Sequence, residues 1–164
     1  MSTHNPAPRS DALLMVTAVA LILLPLIALA IKLAWPGWML FVLLFVSPIL
    51  VIGYVMQVII AATGFLSARA AFRSSDARPR AVAAAWMSAA GIVVTAFFFV
   101  DGGDTDYGSA FMYLIGGESD ARLESISSIV ALMAAIVWVG GWGWLLVEWI
   151  VALVRRRRSV AAPA

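Results

Sequence analysis

The stretch that decides the fold is Ile129–Arg158, IVALMAAIVWVGGWGWLLVEWIVALVRRRR. Its apolar part, Ile129–Val154, contains one ionisable side chain, Glu148, and four consecutive arginines follow it. An apolar run of about 20 residues is long enough to cross the hydrocarbon core of a bilayer as a helix. Arginines directly after such a run mark its cytoplasmic side. The stretch therefore predicts a transmembrane helix that ends in the cytoplasm.

Three earlier apolar runs have the same character: Ala12–Ile31, Met39 to about Phe65, and Ala81–Val100. The chain of 164 residues is 63% hydrophobic and 12% charged, whereas soluble domains have about 45–50% and about 25%. We expect an all-α integral membrane protein with four transmembrane helices, arranged as two helical hairpins. The four helices form a single domain over residues 12–154.

The connections between the runs differ in length and charge. Trp35-Pro36-Gly37-Trp38 is turn sequence and predicts a tight link between the first two helices. A basic segment, residues 67–80, joins the second helix to the third, and a long acidic loop, residues 101–128, joins the third to the fourth. We expect this loop to form a partly ordered outer cap. A mobile leader, residues 1–11, precedes the domain, and a basic tail, residues 155–164, follows it.

Charge predicts the orientation of the helices. If both termini are cytoplasmic, nine of the eleven basic residues lie inside: Arg9, Arg69, Arg73, Arg78, Arg80, Arg155, Arg156, Arg157 and Arg158. The outer segments then hold only Lys32 and Arg122, together with six of the nine acids. We therefore predict cytoplasmic N- and C-termini. The ten-to-one preference for Arg over Lys favours a bacterial protein, and hence the plasma (inner) membrane.

The first apolar run has a second interpretation as a cleaved signal peptide. Ala28-Leu29-Ala30 has the small residues of a cleavage site. However, the run is longer than the usual apolar core of about 7–15 residues, and Asp11 offsets Arg9 in the leader. A retained transmembrane helix is the favoured interpretation, and cleavage at Ala30 is the alternative.

The residue types that are missing exclude several chemistries. The chain has no cysteine, and its single histidine, His4, lies in the leader. Disulfides, thiolate metal sites and histidine-ligated haem within the membrane are thereby excluded. We predict no catalytic residue, no metal ion and no cofactor, and we expect a protein that is not an enzyme.

Four polar side chains fall in the cytoplasmic halves of four different spans: Thr17, Gln57, Ser88 and Glu148. They either converge as one polar cluster or are satisfied separately. An ionisable residue within a span is a functional-site hypothesis by default. Glu148 has three interpretations: a carboxylate near the inner interface that pairs with an arginine, a proton- or cation-coupling site, or a contact between subunits. Arg155, seven residues further on the same helix face, is the arginine expected to attract it.

Small residues at helical spacing predict close packing between helices. In the third span they include Ala84 and Gly91, and in the fourth span they are Gly140, Gly141 and Gly143. Such residues allow two helix backbones to approach each other.

The outer loop and the tail offer two weaker sites. Asp101, Asp104 and Asp106 on a Gly-rich turn are candidates for loose cation binding, although the spacing does not match an EF-hand and a solvated acidic loop is favoured. Arg155–Arg158 suit anionic lipid headgroups. Nucleic-acid binding is not expected, because no aromatic residues are interleaved with these arginines.

Two function hypotheses follow. The first is a non-enzymatic membrane protein that acts through helix–helix and outer-loop contacts, as an accessory subunit, assembly factor or scaffold. Its partner is another membrane protein or a second copy of the chain. The alternative is an oligomeric ion- or proton-coupled channel or transporter that uses Glu148 and Gln57.

Overall fold

The computed structural model describes residues 9–35, 37–67, 69–73, 76–103 and 107–161, with side chains from residue 12 to residue 157 of these ranges. Most of the leader, Asp104 and Asp106 lie outside the described residues. The elements run in the order α1 (Arg9–Ala34), α2 (Met39–Ile60), a π-helical turn (Ala61–Leu66), α3 (Arg78–Phe98), β1 (Asp101–Gly102), β2 (Tyr107–Gly108), α4 (Ala110–Leu114) and α5 (Ala121–Ala161).

Four helices in the described ranges are long and apolar enough to cross a membrane: α1, α2 with its π turn, α3 and α5. The prediction of a mostly helical chain with four helices of membrane-spanning length and composition is confirmed. Helix α3 begins before Ala81 but ends at Phe98, short of the predicted Val100. Helices α1 and α5 extend beyond the predicted spans at both ends, most of all α5, which begins eight residues before Ile129. The Asp120 carboxylate causes this early start, because it accepts hydrogen bonds from the backbone N–H groups of Arg122 (2.8 Å) and Leu123 (3.0 Å).

Helices α3 and α5 are antiparallel and approach each other backbone to backbone at two glycines. A Cβ atom added to Gly91 would lie 2.9 Å from the Cα atom of Trp138. A Cβ atom added to Gly141 would lie 2.8 Å from the backbone nitrogen of Ser88. The two backbones therefore touch at both levels, and glycine is the residue that allows it.

The hydrophobic core lies between α1, α3, α5 and the π turn. The α3 side of the core consists of alanines at positions 81, 84, 85 and 89, all of them buried. Larger side chains fill the space opposite, among them Leu14 and Leu21 from α1 and Leu145 from α5. Small residues on α3 thus allow α1 and α5 to pack closely against different sides of this helix.

Helix α2 lies at the edge of the bundle and is fixed by polar contacts near its ends. At its N-terminus, the Asp101 carboxylate accepts a hydrogen bond from Met39 N–H at 3.0 Å. Towards its C-terminus, Tyr54 Oη donates to the Ile22 carbonyl at 3.1 Å, and Gln57 Nε2 donates to the Leu21 carbonyl at 2.8 Å. Gln57 and Ile60 are its buried residues.

The described part of loop 101–128 forms an ordered cap. Strands β1 and β2 pair antiparallel, and α4 follows directly. The Ser109 hydroxyl accepts a hydrogen bond from Met112 N–H (3.2 Å) and lies 3.3 Å from the Ser127 hydroxyl on α5. The Met112 side chain is fully buried. The Ser109–Ser127 contact thus ties the loop to α5, and the buried Met112 side chain anchors α4 in the protein interior.

The glycine pair Gly140–Gly141 provides a test of the α3–α5 contact. Gly141→Ala is expected to lower the free energy of unfolding by about 1–3 kcal/mol, because the new methyl group overlaps α3. Gly140→Ala is the matched control: a Cβ atom added there would have nothing within 4 Å, so a neutral or slightly stabilising effect of up to about 1 kcal/mol is expected. Thermal unfolding in detergent, followed by tryptophan fluorescence, measures both. Equal effects at the two positions would contradict the packing described.

Candidate functional site at the basic end

One end of the bundle, here called the basic end, carries exposed arginines: Arg69, Arg73, Arg80, Arg155, Arg156 and Arg157. The opposite end, called the hairpin end, carries β1 and β2. Glu148 lies on the basic side of α5. Its Oε1 atom accepts hydrogen bonds from Arg80 Nε at 2.8 Å and from Trp144 Nε1 at 3.2 Å. The Glu148 side chain is 12% exposed and that of Arg80 is 54% exposed, so the arginine links a shielded carboxylate to the surface.

The partner of Glu148 differs from the one expected from the sequence. Arg155 lies two turns further along the same helix, whereas Arg80 stands in the first turn of the neighbouring helix at the same level. The antiparallel packing of α3 and α5 brings Arg80 to Glu148. The sequence contained a signal for this pairing. Arg80 directly precedes the third apolar run, and in an antiparallel pair the start of that run lies beside the end of the fourth run.

The other three predicted polar residues are buried, and no two of them share a hydrogen-bond partner. Thr17 Oγ1 donates to the Leu13 carbonyl of its own helix at 2.8 Å. Gln57 bonds to the Leu21 carbonyl, and the buried Ser88 hydroxyl has no hydrogen-bond partner among the described residues. Within the same ranges, no hydrogen bond joins any two of Thr17, Gln57, Ser88 and Glu148.

At the basic end, residues 69–73 fold back against the π turn that follows α2. Phe72 is fully buried, and its ring centroid lies 5.0 Å from that of Phe65 in the π turn. Phe72 N–H also donates to the Gly64 carbonyl at 3.0 Å. The sequence indicated only a basic connecting segment here. A single phenylalanine in this basic segment gave no periodic signal for this return.

Helix α5 holds the same segment from the other side. Trp149 Nε1 donates to Thr63 Oγ1 at 2.9 Å, and the Arg156 guanidinium donates to the Arg69 carbonyl. The π turn, residues 69–73 and the end of α5 thus form one connected structure. Arg155, Arg156 and Arg157 are exposed on it, and the side chain of Arg158 is outside the described residues.

Polar groups at the two ends are separated by the thickness of a bilayer core. On α5, Glu148 lies 21 positions after Ser127, which is about 30 Å at helical rise. Phe99, just after the end of α3, lies 19 positions after Arg80 at its start, or about 28 Å. A hydrocarbon core is about 30 Å thick. Glu148 and Arg80 therefore lie one core thickness from the hairpin end.

The hairpin end has its own polar group around Asp101. Besides Met39 N–H, its carboxylate accepts Gly102 N–H at 3.0 Å and lies 3.9 Å from Lys32 Nζ. Lys32 Nζ also donates to the Phe99 carbonyl at 3.3 Å. Among the described residues, no three His, Cys, Asp or Glu side chains are grouped so as to hold a metal ion. Because Asp104 and Asp106 lie outside those residues, the cation site stays a prediction.

The predicted packing residues divide into two groups. Ala84, Gly91 and Gly141 lie in the contact between α3 and α5. Gly140 and Gly143 face open space, since a Cβ atom added to either would have nothing within 4 Å. Helix α5 therefore presents one glycine surface to α3 and another to its surroundings.

A double-mutant cycle tests the ion pair. Because Arg80 is half exposed, we expect a coupling free energy of about 1 kcal/mol between Arg80→Gln and Glu148→Gln in unfolding experiments. The control cycle combines Glu148→Gln with Arg155→Gln, for which a clearly smaller coupling is expected. Equal coupling in the two cycles would show that Glu148 responds to general positive charge and not to Arg80.

Comparison with known proteins found no matching family model, no matching curated protein and no matching solved structure. Inferences about function therefore rest on the geometry described above.

Proposed function

We propose that the protein is a non-enzymatic integral membrane protein that acts through contacts with a partner, as an accessory subunit, assembly factor or scaffold of a membrane complex. The observation that carries the proposal is the exposure of α2. From Met39 to Met56, no side chain of this helix is buried, although the helix is fixed near both ends. The helix is thus held in place without contributing to the core of its own chain over that length.

The exposed side chains of α2 are large and apolar. Phe45 is 86% exposed, Ile49 71% and Ile52 65%. Helices in lipid associate through van der Waals packing between complementary surfaces, because lipid tails are as apolar as the side chains themselves. Helix α2 is fixed near its ends and exposed between them. It therefore offers such a surface to a transmembrane helix of another protein or of a second copy.

We further propose that the basic end faces the cytoplasm of a bacterial cell and that both termini lie there. The exposed arginines at the basic end support this orientation through the positive-inside rule. The cap of β1, β2 and α4 then lies outside, where a partner has access to it.

The hydrogen bonds of the polar side chains favour the contact role over transport. The Glu148 carboxylate is held by Arg80 and Trp144, and the Gln57 amide is bonded to a backbone carbonyl. A coupling site needs a carboxylate that exchanges its partner during the cycle. If Glu148→Gln abolished ion or proton flux in reconstituted vesicles, transport would replace the contact role.

Site-specific crosslinking tests the proposed role of α2. A photoreactive amino acid in place of Phe45 is expected to give a discrete crosslinked product in native membranes. The matched control is Leu26 on α1, which is also exposed (46%) and lies at a similar distance from the hairpin end. It is expected to give no such product.

Mass spectrometry of the Phe45 product distinguishes a companion protein from a second copy of the chain. Two results would overturn the proposal: lipid adducts alone at Phe45, or the same products at Phe45 and Leu26.

A further inference from the structure

We infer that the basic end is a preformed binding surface for the headgroups of anionic phospholipids, built jointly by residues 69–73 and by the part of α5 beyond Glu148. This inference is independent of the partner-contact role, since it concerns the end of the bundle and not the side of α2. Three observations carry it: the connection between the two segments, their charge, and their distance from the hairpin end.

The first observation is that the two segments are fixed relative to each other. Trp149 and Arg156 of α5 bond to Thr63 and to the Arg69 carbonyl, respectively. The buried Phe72 ring anchors residues 69–73 in the core. Arginines from two distant parts of the sequence therefore stand on one rigid surface, which lowers the entropy cost of ordering them around a ligand.

The second observation is the excess of positive charge. Arg69, Arg73, Arg155, Arg156 and Arg157 are all exposed on this surface. The nearby Glu148 is already paired with Arg80, and Asp76 is the one exposed acid among the described residues of this end. Guanidinium groups bind phosphate oxygens in a bidentate manner, so the ligand chemistry is a phosphate group.

The third observation is the level of the arginines, which favours lipid over a soluble phosphate compound. Glu148 lies about 30 Å from Ser127 along α5, and Arg155 is seven residues further, about 10 Å. The polar layer of a bilayer extends about 5–7 Å beyond its hydrocarbon core. An arginine side chain is long enough to reach back across the remaining distance. The guanidinium groups then meet the lipid phosphates.

The test compares lipid selectivity in nanodiscs that contain phosphatidylcholine with a small share of phosphatidylglycerol. The wild-type chain is expected to prefer phosphatidylglycerol, as measured by native mass spectrometry of retained lipids. A basic residue near an anionic surface contributes about fivefold in affinity. The triple variant Arg69→Gln, Arg155→Gln, Arg157→Gln is therefore expected to lose roughly tenfold or more of the preference.

Arg122→Gln is the matched control, since Arg122 is an exposed arginine in the first turn of α5, at the hairpin end. It is expected to leave the preference unchanged. Raising the salt concentration is expected to weaken the wild-type preference, a measurement that does not depend on whether the triple variant folds. A preference that survives both the triple substitution and high salt would overturn the proposal.

Soluble competitors separate lipid from other anions. Inorganic phosphate and glycerol 3-phosphate are expected to displace phosphatidylglycerol poorly, because they lack the bilayer that places the headgroup. Displacement by either at concentrations equal to the lipid would assign the surface to a free phosphate compound. Stronger binding of poly-glutamate than of phosphatidylglycerol would assign it to an acidic protein segment. Either result would overturn the lipid assignment.

Discussion

The close approach of α3 and α5 is the contact on which the rest of the structure depends. At Gly91 and Gly141 the helices meet backbone to backbone, which only residues without a side chain allow. This antiparallel contact places Arg80 beside Glu148, and it leaves the alanine side of α3 open to α1. It also fixes the direction in which α5 continues past the bundle, where Trp149 and Arg156 hold the returning chain.

Features that depend on local pattern could be predicted from the sequence, and those that depend on distant partners could not. The apolar runs indicated the four helices, and the small-residue spacing indicated close packing by α3 and α5. Pairing of Arg80 with Glu148 and capping of Met39 by Asp101 join residues more than 60 positions apart. Small-residue spacing alone did not distinguish Gly140 from Gly141, because each step along a helix turns the side chain by about 100°.

The two ends of the bundle use polar groups in different ways. At the hairpin end, Asp101, Lys32 and the Phe99 carbonyl satisfy one another around the start of α2. At the basic end, polar contacts such as Trp149 to Thr63 fix the scaffold while the arginines remain on the surface. The polar groups at the hairpin end thus bond to one another, whereas the arginine side chains at the basic end are exposed. Between them, the polar side chains of the described residues are few and mostly bonded to backbone carbonyls.

The carboxylate that caps the N-terminus of α2 comes late in the chain, which affects the order in which the helices reach their final positions. Met39 N–H bonds to a carboxylate 62 residues later in the chain. A ribosome that adds about 5–20 residues per second needs about 3–12 s to make that distance. During that interval α2 exists with α1 but without its cap, and the first turn of α2 must find other hydrogen-bond acceptors. The final position of α2 is therefore set only once α3 and β1 have been synthesised, so the second helix in sequence is among the last to be secured.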